Sequence, residues 1–130
     1  MKYVITESQI DTLIMKQLDK MFDVSNINWT HPYEYDENGE EFEDSERMDF
    51  YFGDYGDDSV FMWYGKGYWG DNQHDYRGYK SKSPIVDIEE PYHSYLNGLF
   101  GNRWYEPFKV WFKENFNVNV KTVMDEVYNK

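Results

Sequence analysis

The chain has 130 residues, 25 acids against 13 Lys and Arg, a formal charge of −12, and no cysteine. That length fits one domain with one core, and the missing cysteine excludes disulfides, thiolate metal sites and cysteine nucleophiles. Net negative charge disfavours direct contact with nucleic acid or anionic lipid and favours basic partners. The apolar stock is 13 Tyr, 9 Phe, 5 Trp and 6 Met, with only 4 Leu and no alanine. Large rings must therefore fill most of the core, and their O–H and N–H groups need partners or an exit to water.

The opening MKYVITESQ turns polar too early for the apolar stretch of a signal peptide, and no apolar run reaches the roughly 18 residues of a membrane helix. The expectation is a soluble, cytoplasmic protein without membrane association. A helix is predicted within residues 3 to 22, with Thr6 as its cap and Gln9 closing a capping box. Ile5 and Ile10 fall at staple positions. Ile10, Leu13, Ile14, Leu18 and Met21 recur at three- and four-residue spacing and predict one packing face, with Asp11, Lys16, Gln17, Asp19 and Lys20 turned outward.

Residues 34 to 58 hold twelve acids against a single base, Arg47, so nearly all of the charge imbalance sits in one segment of an otherwise near-neutral chain. Within it, Trp29 to Glu37 and Glu40 to Asp44 flank Asn38-Gly39, a dipeptide suited to a two-residue type I′ hairpin turn. That turn sets Glu37 against Glu40, Asp36 against Glu41, Tyr35 against Phe42 and Glu34 against Glu43. Strand alternation then puts Tyr33, Tyr35 and Phe42 on one side and Glu34, Asp36, Glu41 and Glu43 on the other. The result is an acidic excursion over about residues 29 to 46, a ribbon with an aromatic underside and a carboxylate top.

Opposed like charges destabilise such a ribbon by up to ~1 kcal/mol per pair, so something must offset them. Three readings compete: a solvated excursion that tolerates its charge, a docking surface for a basic protein, and a cation site. Aligning Gly39 with the glycine of a calcium-binding EF-hand loop puts Glu34, Asp36 and Asn38 at ligand positions, but Ser45 stands where the bidentate Glu belongs and the flanks alternate like strands. An EF-hand is rejected, weak divalent-cation binding is left open, and no metal or cofactor is assigned. Asp54, Asp57 and Asp58 around Gly56 are equally ordinary loop chemistry.

Residues 48 to 53 and 59 to 64 predict two strands. Met48, Phe50 and Phe52 share a face of the first; Val60, Met62 and Tyr64 share a face of the second, with Phe61 and Trp63 opposite. Because both faces of the second are apolar, it belongs in the centre of its sheet. In residues 65 to 82, Lys66, Arg77, Lys80 and Lys82 alternate with Tyr68, Trp69, Tyr76 and Tyr79. Interleaved rings and bases equip a stacking platform for single-stranded nucleic acid, a sugar or a peptide, with Lys66, Tyr68, Trp69, Arg77 and Tyr79 as candidate ligand-binding residues. The bland alternative is a glycine-rich loop whose rings fold back on the sheet. Gly65, Gly67 and Gly70 spell GxGxxG, but no helical stripe follows to complete a dinucleotide site.

Ile85 to Ile88 predicts a short strand, and Pro91 begins a helix containing Tyr92, Tyr95, Leu96 and Leu99 that Gly98 and Gly101 end. Another helix runs to residue 116, starting at Asn102 or, if Pro107 marks its first turn, later; Phe108, Trp111, Phe112 and Phe116 form its stripe. Alternation through Val118, Val120 and Thr122 predicts a last strand. His31, His74 and His93 have no short metal-binding spacing, and no arrangement of a base with a nucleophile can be read from the chain. No catalytic residue is assigned, and an enzyme is not the expected reading.

The opening ITESQ before an amphipathic helix, and the ending LFGNRWYEPFKVWFKENFNVNVKTV, resemble small uncharacterised proteins of tailed bacteriophages. The resemblance covers the two ends and leaves out the acid block. It implies no activity, cofactor or residue role, but it favours a host-directed interaction protein, including an acidic mimic of nucleic acid.

These readings converge on an α+β fold: a mainly antiparallel sheet with an N-terminal helix and two C-terminal helices packed on one face. The leading functional expectation is a small acidic protein that docks Glu34, Asp36, Glu41 and Glu43 on a basic surface of a partner, such as a host nucleic-acid-binding protein. Same-face side chains on a strand lie about 6.6 to 6.8 Å apart, of the same order as successive phosphates along a nucleic-acid strand. The alternative is a ligand-binding module using the aromatic and basic segment 64 to 82.

Overall fold

A computed structural model of the chain describes residues 6–35, 37–43, 47–56, 58–65, 84–124 and 126. At its start, Thr6 Oγ1 accepts the Gln9 N–H at 3.2 Å and Gln9 Oε1 accepts the Thr6 N–H at 2.8 Å. The capping box so formed begins helix α1, Glu7–Met21. Ile14 and Leu18 are fully buried, and Ile10 and Met21 pack beside them. Leu13, expected on this face, is instead half exposed: successive residues turn about 100° around a helix, which puts Leu13 on the flank of the stripe that Ile14 and Leu18 centre. Ile5, the other staple residue, lies outside the described residues.

Among the described residues, five strands form the main sheet in the order β1-β4-β5-β6-β7, and β2 and β3 form a separate two-stranded sheet. The strands are β1 (Ile27–Thr30), β2 (Tyr33–Tyr35), β3 (Glu41–Glu43), β4 (Arg47–Phe52), β5 (Val60–Gly65), β6 (Ile85–Ile88) and β7 (Thr122–Val123). β5 is central, as its two apolar faces require. Every pairing in the main sheet is antiparallel except β6 with β7. That parallel pair needs a long crossover, which is supplied by α2 (Glu90–Phe100) and α3 (Tyr105–Phe116). The three helices share one core with one face of the sheet: Ile14, Leu18, Leu96, Phe108, Trp111 and Phe112 meet Met48, Phe50, Met62, Tyr64, Val86 and Ile88. The fold is α+β with a mostly antiparallel sheet.

The core is made of rings, as the composition demands. Phe22 sits against Phe61, Tyr92 and Trp111 at centroid distances of 5.5, 5.2 and 5.5 Å, and Phe50 against Phe112 and Phe116. The two fully buried indoles find acceptors: Trp104 donates to Asn97 Oδ1 at 2.7 Å and Trp111 to Asp19 Oδ1 at 2.9 Å. Asp19, which helix periodicity turns outward, thus ties α1 to α3 across 92 residues of sequence.

Several elements differ from their predicted form for identifiable reasons. The register shifts between Phe50 and Tyr51, so that Phe50 pairs with Met62 but Tyr51 with Val60. The extra residue, Phe61, is a bulge that breaks the period-two pattern. Phe61 therefore joins the core, stacked on Phe52 at 4.6 Å, rather than facing away from it. Gly98 lies inside α2, and Gly101, at φ +63°, caps it. Of the two starts the sequence allows for α3, the later one forms: the helix begins after Trp104, with Pro107 in its first turn. Pro107 is tolerated in the first turn because a proline there gives up an N–H that has no partner within the helix. The last strand shrinks to Thr122–Val123, while Val118 and Val120 pack against the core outside any strand. Residues 117–121 leave α3 through Asn117, which is left-handed at φ 57° and donates to Lys113 O at 2.9 Å.

Candidate functional site

The strand predicted over Trp29 to Glu37 is broken in two. Pro32, which lacks an N–H and is buried, interrupts the ladder. On its N-terminal side β1 pairs with β4, from Ile27 opposite Phe52 to Thr30 opposite Asp49; on its C-terminal side β2 pairs with β3. The acidic hairpin is therefore an arm inserted between two paired strands at the edge of the main sheet. Its base is held by His31, whose Nδ1 lies 2.7 Å from Arg47 O and whose ring meets Trp29 edge-on at 5.2 Å.

The register of the arm corrects the predicted one by a single residue. Tyr33 is opposite Glu43, Glu34 opposite Phe42 and Tyr35 opposite Glu41, so β2 ends at Tyr35 and β3 begins at Glu41. A type I′ turn would need positive φ at both Asn38 and Gly39. Only Gly39 has it, at +78°, so the turn is not type I′ and instead bends through a left-handed glycine. The electrostatics favour this slip. Within the described strands the two-residue turn would oppose Glu34 to Glu43, whereas the register now puts an aromatic residue across from each of Glu34, Glu41 and Glu43.

A one-residue slip exchanges the faces of a strand relative to its partner, so the ribbon with rings below and carboxylates above is not what forms. Glu41 and Glu43 share a face of β3, with Phe42 on the other, and Tyr33 is the residue across from Glu43. Of the four predicted docking residues, Glu41 and Glu43 are together and exposed. Glu34 falls opposite Phe42 instead of Glu43, and Asp36 lies outside the described residues. Residues 37 to 43 are all exposed, as is Tyr33 at 65%. The alternative ligand-binding set, Lys66, Tyr68, Trp69, Arg77 and Tyr79, lies outside the described residues.

Elsewhere the acidic residues are parts of local structure. Tyr55 donates to Asp49 Oδ2 at 2.9 Å, and the loop between β4 and β5 is organised by Ser59, whose hydroxyl accepts from Gly56 N–H at 3.0 Å and lies 2.8 Å from Asp54 O. Asp57 lies outside the described residues; Asp54 and Asp58 are exposed. Among the described residues no group of three His, Asp or Glu side chains is placed to hold a metal ion, and no helix is long and apolar enough to cross a membrane. A cleft of about 280 Å³ opens between the first turns of α1 and α3, lined by Glu7, Ile10, Asp11, Arg103, Glu106 and Pro107. Its charged residues are all exposed, so no group there gains the strength that desolvation confers.

Lys109 reaches Glu126 at 2.7 Å and Glu106 at 2.9 Å. Burial alone would lower its pKa, but the hydrogen bonds and charge of Glu126 and Glu106 outweigh burial and hold it above the ordinary lysine value. Because Glu126 also accepts the Val123 N–H at 3.0 Å, this group fastens the end of β7 to α3. It is a structural clamp. No family model, curated protein or solved structure matches the chain.

Proposed function

We propose that the protein is a small acidic interaction protein, acting in the cytoplasm, that docks its β2–β3 arm on a basic surface of a partner protein. The observation that carries this reading is the arm itself: between residues 33 and 43 it holds six acids and no base, its tip and β3 are exposed, and it stands apart from the main sheet. A like-charged projection of this kind steers toward positive surfaces and rejects negative ones. The partner class includes proteins that bind nucleic acid, although the corrected register leaves phosphate-like same-face spacing to Glu41 and Glu43 rather than to four residues. The resemblance of the chain ends to tailed-bacteriophage proteins directs the same reading toward a host protein.

The test compares the parent with a variant carrying Glu34→Gln, Asp36→Asn, Glu41→Gln and Glu43→Gln, each used to capture basic proteins at low and at high salt. Docking through the arm requires a partner that the parent holds at low salt and releases at high salt, because exposed charges are screened, and that the variant fails to hold. Equal capture by the two proteins refutes it.

A further inference from the structure

The corrected register gives the arm a chemistry that charge alone does not. Docking by carboxylates needs no rings, yet Tyr33 is 65% exposed and Phe42 44%. Nor do these two rings stabilise the hairpin as an aromatic pair, since Tyr33 lies opposite Glu43 and Phe42 opposite Glu34. Directly opposed residues bring their Cβ atoms to about 5 Å of one another, so a phenol ring and a carboxylate stand side by side, with Glu41 one repeat further along the same face of β3. We infer that the Tyr33, Glu41 and Glu43 face selects arginine over lysine in a basic segment of the partner protein. The inference rests on the docking reading above and names what the arm recognises.

The physical basis is the shape of the cation. A guanidinium is planar and weakly hydrated, so it lies flat on an aromatic face while its edge donates two parallel hydrogen bonds to a carboxylate. A lysine ammonium is a compact, strongly hydrated charge that satisfies Glu41 or Glu43 without using the ring. A face of carboxylates alone would give arginine only the advantage of bidentate pairing. The neighbouring ring adds stacking, and the exposure of Tyr33, Glu41 and Glu43 leaves room for an extended segment to lie across them.

The experiment titrates two synthetic peptides of equal length and charge, one built on arginine and one on lysine, against the parent, Tyr33→Leu and Tyr33→Phe, read by fluorescence anisotropy at one low salt concentration. The arginine peptide should bind the parent roughly 2- to 5-fold tighter, the increment of an exposed cation–π contact. Tyr33→Leu should remove most of that preference while leaving lysine-peptide affinity unchanged, and Tyr33→Phe, which keeps the ring, should retain it. Equal affinities for the two peptides, or a preference undiminished in Tyr33→Leu, overturn arginine selection by this face and leave docking by charge standing. If neither peptide binds the parent at that low salt concentration, both readings fall together.

Discussion

Removing the Asp19 carboxylate tests whether one polar contact joins the first helix to the last. Trp111 is 1% exposed and donates its indole N–H to Asp19 Oδ1 at 2.9 Å, while the rest of the ring lies among Phe22, Phe108 and Phe116. A hydrogen bond to a charged acceptor contributes about 1.5 to 3 kcal/mol, and a buried donor left without a partner costs about 1 to 3 kcal/mol. Asp19 itself reaches solvent, so water can follow the lost carboxylate to the indole, and the lower part of the range applies: Asp19→Ala should destabilise by about 1 to 2 kcal/mol. Asp19→Asn keeps a carbonyl acceptor and should recover roughly half of that loss or more. Urea unfolding followed by tryptophan fluorescence measures the effect, with Lys16→Ala, exposed on the same helix, as the control. If Asp19→Ala is no more damaging than Lys16→Ala, the contact does not tie α1 to α3 and the reasoning fails.

Gly39→Ala meets no atom within 4 Å, so its only penalty is the left-handed backbone at φ +78°, worth about 1 to 2 kcal/mol for a residue with a Cβ. Amide exchange at Phe42 should quicken by roughly 5- to 30-fold while the global unfolding midpoint stays within error; an unchanged exchange rate would show that the arm does not turn through a left-handed Gly39. Alkali should destabilise the fold. Burial raises the Tyr64 pKa and the Glu126 and Glu106 contacts raise that of Lys109, so both groups hold their protons more tightly folded than unfolded. Their contribution is intact below about pH 10, where the unfolded chain still keeps these protons, and is lost as pH rises through the folded values. Denaturant stability compared at neutral pH and above about pH 10 checks the sign, and Glu126→Gln should make the decline shallower by removing the larger of the two partners that raise Lys109.

How much was legible depended on the range of the interaction that decides each feature. The α1 capping box, the stripe of α3 and the central place of β5 all follow from neighbours within a turn or a strand, and each formed. The arm was legible as a hairpin because Asn38-Gly39 is turn chemistry, but its register was not. Two registers, one residue apart, suit the same dipeptide, and the choice between them depends on which side chains then oppose one another across the strands. The repulsion of Glu34 and Glu43 in the two-residue register is legible from the sequence, and the slipped register relieves it. The Phe61 bulge left no local signal, because Val60, Phe61 and Met62 are all apolar and either face could accept any of them.

The sequence by itself determined the class of fold and the place of the charge: periodicity distinguishes helix from strand, and twelve acids in residues 34 to 58 leave the rest near neutral wherever that segment goes. Only the tertiary structure decided that Pro32 divides one expected strand into two, that β1 takes β4 as its partner, and that Tyr33 stands across from Glu43. Those outcomes depend on pairings between strands and on where a missing N–H falls in a ladder, and a strand's own alternation is the same in either register. Propensity acts within a segment, whereas the chemistry a face presents is set when two segments meet.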